Sequence, residues 1–284
     1  MTSEPGSARV LAADAAPPPT LPPPPLRLRS VLGNFVLDLA IFVVAMLLMS
    51  LVVGIVWAVV RAVEVAVQGG FDAENPDVLM NAIGAPAGAA MLWMTLLSTG
   101  TAAALLYFWR RRAGPAERAA SFAAIRRPAT WGWIALTVLA VLVLSNGLTA
   151  LGRLAGFAPE PANQAPIEQA LTSSPGFVTL FVVLLAPLYE ELLFRRVLFG
   201  RLWAAGRPWL GMALSGAAFA CMHEFPGFGA GGWQATTLLW CTYALMGVAF
   251  AWVYRRTGTL WAPIAAHALN NAAAMLALKL GAGG

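Results

Sequence analysis

Two adjacent glutamates, Glu190 and Glu191, lie inside an otherwise apolar run that extends from Phe177 to Phe194. A carboxylate in a hydrocarbon environment costs several kcal/mol unless it finds a partner, so such residues usually serve a function. Arg195 follows Glu191 by four residues, so on a helix the two side chains share one face and can form an ion pair. Glu190 points about 100° away from that face. We therefore expect Arg195 to hold Glu191, and Glu190 to face a cavity.

The chain contains only two histidines, and both lie in or at the end of apolar segments. His223 is found in FACMHEF, and His267 in APIAAHALNNAAA. Asn271 follows His267 by four residues, so one helical face can present an imidazole and a carboxamide together, with Asn270 rotated away. A single histidine in a helix is usually a packing residue. Together with Glu190, however, these side chains form a set that suits acid–base chemistry.

Hydrolysis of an amide is the reaction that this set fits best. A carboxylate in an apolar pocket can accept a proton from water and return it to a leaving amine, so Glu190 suits a general base. His223 could share the activation of that water, while His267 and Asn271 could donate hydrogen bonds to the oxyanion of a tetrahedral intermediate. Alternatively, His223 and His267 could bind a zinc ion that generates the hydroxide. The residues alone leave both mechanisms open.

The composition indicates a lipid environment. Hydrophobic residues make up 59% of the 284 residues and charged residues 11%, and the mean hydropathy is +0.71. This is too much apolar surface for one water-soluble core, so we expect an integral membrane protein. The net charge of +5 comes from arginines between the apolar runs, without a basic stripe, so nucleic acid is not an expected partner.

The apolar segments predict an all-α, polytopic membrane bundle with about seven to eight transmembrane helices and the active site inside it. Residues 1–28 form a Pro- and Ala-rich tail that we expect to be disordered, with no cleavable signal peptide. Residues 29–130 are interpreted as scaffold helices, and residues 131–284 as the catalytic core. The seven apolar segments lie near residues 31–62, 83–109, 131–150, 177–199, 208–224, 235–254 and 258–280, and a half-helix near 160–174 is also expected.

The loops between these segments alternate in charge, which predicts the topology. Arginines precede the first segment, acidic residues follow it, and the run at 110–112 follows the second. Because positive loops stay on the cytoplasmic side, the N-terminus is expected in the cytoplasm. A near absence of lysine beside abundant Arg, Ala, Gly and Pro is typical of a GC-rich bacterial source, so the expected location is the bacterial cytoplasmic membrane.

Two other acidic residues, Asp38 and Glu224, lie near the ends of apolar segments. Asp38 lies near the cytoplasmic end of the first segment, where we expect headgroups to solvate it. Glu224 follows His223 directly, but Pro226 and Gly227 interrupt any zinc-binding HExxH helix, so we expect Glu224 to meet water.

Three short motifs occur in order on separate predicted spans: EELLFR at 190–195, FACMH at 219–223 and HALNN at 267–271. They resemble the EExxxR, FxxxH and HxxxN/D motifs of the CAAX protease and bacteriocin-processing (CPBP, or Abi) family of intramembrane proteases. The resemblance covers roughly residues 130–280 and implies a membrane-embedded endopeptidase. By this resemblance, Glu190 is similar to the catalytic glutamate, His223 to its partner, and His267 with Asn271 to the remaining pair.

The resemblance also bears on the supporting residues and the cofactor. Glu191 and Arg195 fill the other fixed positions of the first motif. Arg196 departs from the family, in which glycine is common at this position, and this bears on local packing or substrate access. The family is described as metalloproteases, although a metal-free glutamate mechanism has also been proposed for it. Because Asn271 is a poor zinc ligand, we favour the metal-free mechanism over one zinc ion held by the two histidines.

Two further functions use the same residues. In a proton-coupled transporter the intramembrane Glu and His side chains would relay protons, and a non-catalytic immunity or scaffold protein would merely retain them. The two halves show no internal repeat, and the polar residues are concentrated in one half, which disfavours a transporter. The expected partners are the lipid bilayer and a membrane-associated protein or peptide substrate.

Overall fold

The computed structural model describes residues 28–68, 76–157, 159–224 and 232–281, and the tail predicted at residues 1–28 lies almost wholly outside them. The described residues form ten helices and no strand. In chain order the helices are α1 (Leu28–Val67), α2 (Pro76–Ile83), α3 (Ala89–Arg110), α4 (Pro115–Ile125), α5 (Pro128–Leu154), α6 (Gln164–Ser173), α7 (Pro175–Ala204), α8 (Pro208–His223), α9 (Gly232–Thr257) and α10 (Trp261–Lys279). The predicted all-α class is therefore confirmed.

Each of the seven apolar segments is largely helical, and α6 matches the expected half-helix. In the described part of the chain, five helices (α1, α3, α5, α7 and α9) are long and apolar enough to cross a membrane. The two remaining segments, α8 and α10, have 16 and 19 residues. These two helices carry the histidines, and they pack within the bundle formed by the longer helices.

Proline and glycine set the helix ends near the site. Proline has no backbone N–H and is therefore tolerated in the first helical turn, and it opens α4, α5, α7 and α8 with Pro115, Pro128, Pro175 and Pro208. Gly206 and Gly258 adopt φ angles of 74° and 70° in the short connections from α7 to α8 and from α9 to α10. Each tight turn reverses the chain, so that α8 packs against α7 and α10 packs against α9.

Helices α8 and α9 approach each other closely through two glycines. A β-carbon added to Gly216 would lie 2.7 Å from the carbonyl oxygen of Ala244, and one added to Gly247 would lie 2.7 Å from the α-carbon of Gly216. Ser215 is fully buried, and its hydroxyl donates a hydrogen bond of 2.7 Å to the carbonyl of Phe194 on α7. Small residues in α8 thus bring α9 and α7 close enough to share one interior.

Asp38 is buried, and the expectation that headgroups solvate it is wrong. Its carboxylate is fully inaccessible and pairs with Arg110 at 2.8 Å and with the Nε atom of Arg201 at 2.6 Å. Its position near the end of α1 suggested exposure, but α3 and α7 pack over it. Asp38 therefore joins the ends of three helices.

The apolar interior is continuous between the first and second halves of the chain. One core cluster combines Phe42 of α1 and Leu106 of α3 with Phe194 of α7 and Phe219 of α8, all at most 2% exposed. The division into a scaffold at 29–130 and a catalytic core at 131–284 stays a prediction.

Candidate active site

Glu190 faces both histidines of the chain. Its Oε2 atom lies 3.8 Å from Nε2 of His223 and 3.8 Å from Nε2 of His267. The Glu190 side chain is 13% exposed, and its Oε2 atom is buried without a hydrogen-bond partner. Three helices, α7, α8 and α10, therefore bring these side chains together, and we refer to Glu190, His223 and His267 as the Glu190 cluster.

Glu191 lies on the other face of α7 and contacts two side chains. Its Oε2 atom is 3.0 Å from Nε of Arg195, and its Oε1 atom accepts a hydrogen bond of 2.9 Å from Nδ1 of His267. Neither Oε2 of Glu191 nor Nε of Arg195 has a hydrogen-bond partner among the described residues, so this contact is an ion pair without a hydrogen bond. The spacing of four residues predicted the first contact. The second joins residues 76 positions apart, and no local spacing signals it.

Arg195 is enclosed by aromatic rings. The side chain is fully buried, and its guanidinium carbon lies 4.7 Å from the ring centre of Phe219 and 5.3 Å from that of Phe250. One amino group donates a longer hydrogen bond of 3.4 Å to the carbonyl of Gly247. Aromatic faces stabilise a cation, and burial away from water makes the pairing with Glu191 essential.

Hydrogen bonds fix how the two imidazoles are oriented. Nδ1 of His223 lies 2.9 Å from the carbonyl oxygen of Phe219, which can only accept, so this nitrogen carries the proton. Nδ1 of His267 likewise donates to the ion-paired Glu191. Both rings therefore direct Nε2 towards Glu190. In the neutral rings these atoms are lone-pair acceptors, which suits them to receive a hydrogen bond from water.

Aromatic side chains hold each ring in place. The His223 ring lies between Phe219 and Tyr243, with ring centres 4.3 Å and 4.6 Å away. The His267 ring stacks on Phe250 at 4.8 Å. Phe219 belongs to the second motif, but Tyr243 and Phe250 lie outside all three motifs, so no sequence pattern indicated their place at the site.

Asn271 contacts the backbone of α7 instead of Glu190. Its amide nitrogen donates a hydrogen bond of 2.9 Å to the carbonyl of Val182, within a π-helical segment at Phe181–Leu185. A π turn pairs a carbonyl with the N–H group five residues on, which for Val182 would be Pro187, and proline has none. Asn271 therefore satisfies a carbonyl that Pro187 leaves free. The second amide hydrogen remains available for a ligand.

As placed, the donor atoms of the Glu190 cluster lie farther apart than the ligands of a tetrahedral zinc ion. Each histidine nitrogen lies 3.8 Å from Glu190 Oε2, whereas two ligands with bonds of about 2.0–2.1 Å at a tetrahedral angle lie about 3.3 Å apart. Across the residues that the structure describes, no group of three or more His, Cys, Asp or Glu side chains is arranged to hold a metal ion. As placed, these residues do not fit a tetrahedral metal site.

Glu224 is also buried, which corrects the expectation that it meets water. It is 2% exposed, and its Oε1 atom accepts a hydrogen bond of 2.7 Å from the backbone N–H of Ala162. Ala162 precedes α6, so this contact ties the end of α8 to the segment that leads into α6. The two residues are 62 positions apart, and no local spacing indicates their contact.

Arg196, the departure from the family pattern, links α7 to α4. Its Nε atom donates to the carbonyl of Arg111 at 3.0 Å, and its amino group pairs with Glu117 at 2.8 Å. The hydrogen bond from Arg196, followed by that from the Gly114 backbone, lowers the pKa of Glu117 below its usual value. Arg196 thus anchors the connection between α3 and α4.

The fold and this cluster define a polytopic membrane protein whose helices enclose a carboxylate–imidazole site. Residues 172–273 match the family model described as "Type II CAAX prenyl endopeptidase Rce1-like", and this range contains all three motifs. This match supports the resemblance to the CAAX protease and bacteriocin-processing family that the motifs indicated.

One curated relative is similar over part of its length. The "Putative membrane peptidase YdiL" of Bacillus subtilis (strain 168) is 28% identical over 116 residues, which are 41% of this chain and 43% of the relative. The match thus spans less than half of the length of that relative. None of the solved structures matches this chain.

Proposed function

We propose that this protein is an intramembrane endopeptidase that hydrolyses a peptide bond in a membrane-associated protein or peptide. The observation that carries the proposal is the placement of Glu190, with its unpaired oxygen 3.8 Å from Nε2 of both histidines. A water molecule that forms hydrogen bonds of about 2.8 Å to two such atoms fits this separation. The family match and the curated relative support the same class of reaction.

In the proposed reaction, Glu190 acts as the general base. It takes a proton from water, and the hydroxide attacks the peptide carbonyl while Nε2 of His223 accepts the second hydrogen bond of the water. Glu190 then returns the proton to the leaving amine, so the charge and protons balance over the cycle. The stacking of His223 between Phe219 and Tyr243 keeps its nitrogen directed at this point.

The oxyanion of the intermediate needs hydrogen-bond donors. Asn271 has a second amide hydrogen, and His267 can donate from Nε2 when it is protonated, because Glu191 then stabilises the imidazolium through Nδ1. The role of Glu191 and Arg195 is to position His267 and not to contact substrate. Donor atoms 3.8 Å apart disfavour zinc, which supports the metal-free mechanism.

We further infer that the protein resides in a bacterial cytoplasmic membrane with its N-terminus in the cytoplasm. The basis is the clustering of arginines at one end of the bundle, including Arg110 and Arg201 around Asp38. The site then lies within the membrane, several helical turns from this face.

The test compares membranes that contain the wild-type protein with membranes that contain Glu190→Gln. New protein N-termini are mapped by mass spectrometry, and Glu160→Gln is the matched control because Glu160 is exposed. The proposal predicts peptide products with the wild type and the control, and none with Glu190→Gln. Products that persist with Glu190→Gln contradict it, as does proton-driven flux in liposomes without any peptide product.

Metal analysis of the purified protein tests the metal-free mechanism. The proposal predicts no stoichiometric zinc in either the wild type or His267→Ala. One zinc per chain in the wild type, lost in His267→Ala, would contradict that mechanism while leaving the peptidase proposal intact.

A further inference from the structure

A cavity of about 530 Å³ lies between α3, α4, α7, α9 and α10, at the end of the bundle where arginines gather. Part of its wall is apolar and includes Leu188, Leu192, Trp203 and Ile264. No member of the Glu190 cluster is among the described residues that line it. Cavities of about 300–1,000 Å³ hold small molecules in proteins. This one therefore has the size of a ligand site separate from the Glu190 cluster.

A polar pocket of about 370 Å³ adjoins this cavity. The two spaces share Arg111, Glu117 and Arg196 in their walls, and we refer to the apolar part and the basic part together as the compartment. The described residues that line the polar pocket are Trp109, Arg110, Arg111, Arg112, Glu117 and Arg196. The polar pocket therefore contains four arginines and one glutamate.

Two of these arginines already have carboxylate partners. Arg110 pairs with Asp38 at 2.8 Å, and Arg196 pairs with Glu117 at 2.8 Å. These ion pairs fix α3 to α1 and α7 to α4. They leave no carboxylate of the pocket for the remaining two arginines.

Arg111 and Arg112 carry the uncompensated charge. Within the described ranges neither forms an ion pair, and the buried Nε atom of Arg111 has no hydrogen-bond partner. Arg111 is half-buried, and the one hydrogen bond of its side chain to the described residues is the 3.0 Å bond that it donates to the carbonyl of Gly200. Burial, followed by the like charge of Arg196, lowers the pKa of Arg111, which also reflects a surplus of positive charge. An anion would relieve it.

We propose that this compartment binds an anionic phospholipid, with its phosphate at Arg111 and Arg112 and part of an acyl chain in the apolar cavity. A phosphate group suits guanidinium groups because several N–H donors converge on its oxygens. The apolar wall favours an amphiphile over free phosphate. Basic pockets between transmembrane helices are typical sites for anionic headgroups on the cytoplasmic side, where the arginines predict this end to lie.

The test is lipid retention by the full chain, measured by native mass spectrometry. The protein is purified in detergent and exposed to equal amounts of phosphatidylglycerol and phosphatidylcholine, which differ in net charge. The wild type is expected to retain one phosphatidylglycerol in preference to phosphatidylcholine. An arginine near an anionic lipid contributes about fivefold to binding, so Arg111→Gln with Arg112→Gln is expected to weaken retention about 25-fold.

Two controls separate site binding from general charge and from folding. Arg126→Gln with Arg127→Gln removes the same charge from exposed positions outside the compartment and is expected to retain the lipid. Arg112→Gln alone breaks no backbone hydrogen bond and is expected to weaken retention about fivefold.

A third variant distinguishes a lipid from free phosphate. Ala204 lines the apolar cavity, so Ala204→Phe fills space that an acyl chain would occupy. It is expected to reduce phosphatidylglycerol retention, and inorganic phosphate is not expected to displace the lipid.

Three results would overturn the proposal. The first is equal retention of both lipids, or an equal loss in the Arg126 and Arg127 control. The second is displacement by inorganic phosphate with no effect of Ala204→Phe, which would identify free phosphate as the ligand. The third is displacement of the lipid by a peptide that the protein cleaves, which would make the compartment part of the substrate path.

Discussion

Replacing Glu191 with glutamine should destabilise the protein strongly, because Arg195 would lose its counter-charge in a fully buried position. Both side chains are 0% exposed, and their charged atoms are 3.0 Å apart. The only other polar contact of Arg195 among the described residues is the 3.4 Å hydrogen bond to Gly247. Removal of one partner from a buried ion pair costs about 3–5 kcal/mol, so we expect a loss of this size in the free energy of unfolding.

A double variant shows whether the uncompensated charge is the cause. Glu191→Gln with Arg195→Met removes both charges and leaves an apolar side chain among the phenylalanine rings. Because buried pairs can be replaced by apolar residues at little cost, most of the lost stability should return. Peptide cleavage should stay low, because His267 then lacks the carboxylate that orients it and stabilises its protonated form.

The assay is reversible unfolding of the purified protein in detergent, with peptide cleavage measured on the same samples. Glu160→Gln serves as the control because it removes a carboxylate from an exposed position. A Glu191→Gln variant within about 1 kcal/mol of the wild type would refute the reasoning. So would a double variant that is less stable than the single one.

Three other predictions follow from contacts outside the Glu190 cluster. Asn271→Ala should lower kcat by about 10²–10³-fold if the amide binds the oxyanion, whereas Asn270→Ala, at the neighbouring buried position of α10, should leave kcat nearly unchanged when steady-state cleavage is measured. Asp38→Asn should lower the free energy of unfolding by about 3 kcal/mol, because it leaves two arginines unpaired, and an unchanged unfolding midpoint would contradict this. The folded pKa of Glu117 is depressed by its hydrogen bond with Arg196, so its contribution to stability is present above its unfolded pKa and is lost as the pH falls through the folded pKa. Unfolding measured below about pH 4 should therefore show an acid-induced loss of stability that Glu117→Gln reduces.

The sequence was most informative where spacing along one helix determines contacts. The order of the three motifs indicated which spans carry the polar residues, and the four-residue spacing predicted the pairing of Glu191 with Arg195. Pro187 also carried a usable signal, because a proline predicts a free carbonyl upstream, although only the structure, with its π turn, identifies that carbonyl as Val182 and its donor as Asn271.

Contacts between distant helices were not predictable in the same way. Asp38 and Glu224 both lie near the ends of apolar segments, where water is the usual neighbour. Each is buried because another part of the chain packs over it, namely Arg110 and Arg201 in one case and the Ala162 backbone in the other. The bond between Glu191 and His267 belongs to the same class, since it depends on how α10 packs against α7.

The most direct measurement of the central claim is cleavage of a membrane peptide in water labelled with ¹⁸O. Hydrolysis places one solvent oxygen in each new C-terminus, so the wild type, in which Glu190 activates a water molecule beside His223, should form singly labelled products. Folded Glu190→Gln should form no labelled product. Unlabelled cleavage products from the wild type, or labelled products from Glu190→Gln at the wild-type rate, would contradict the account.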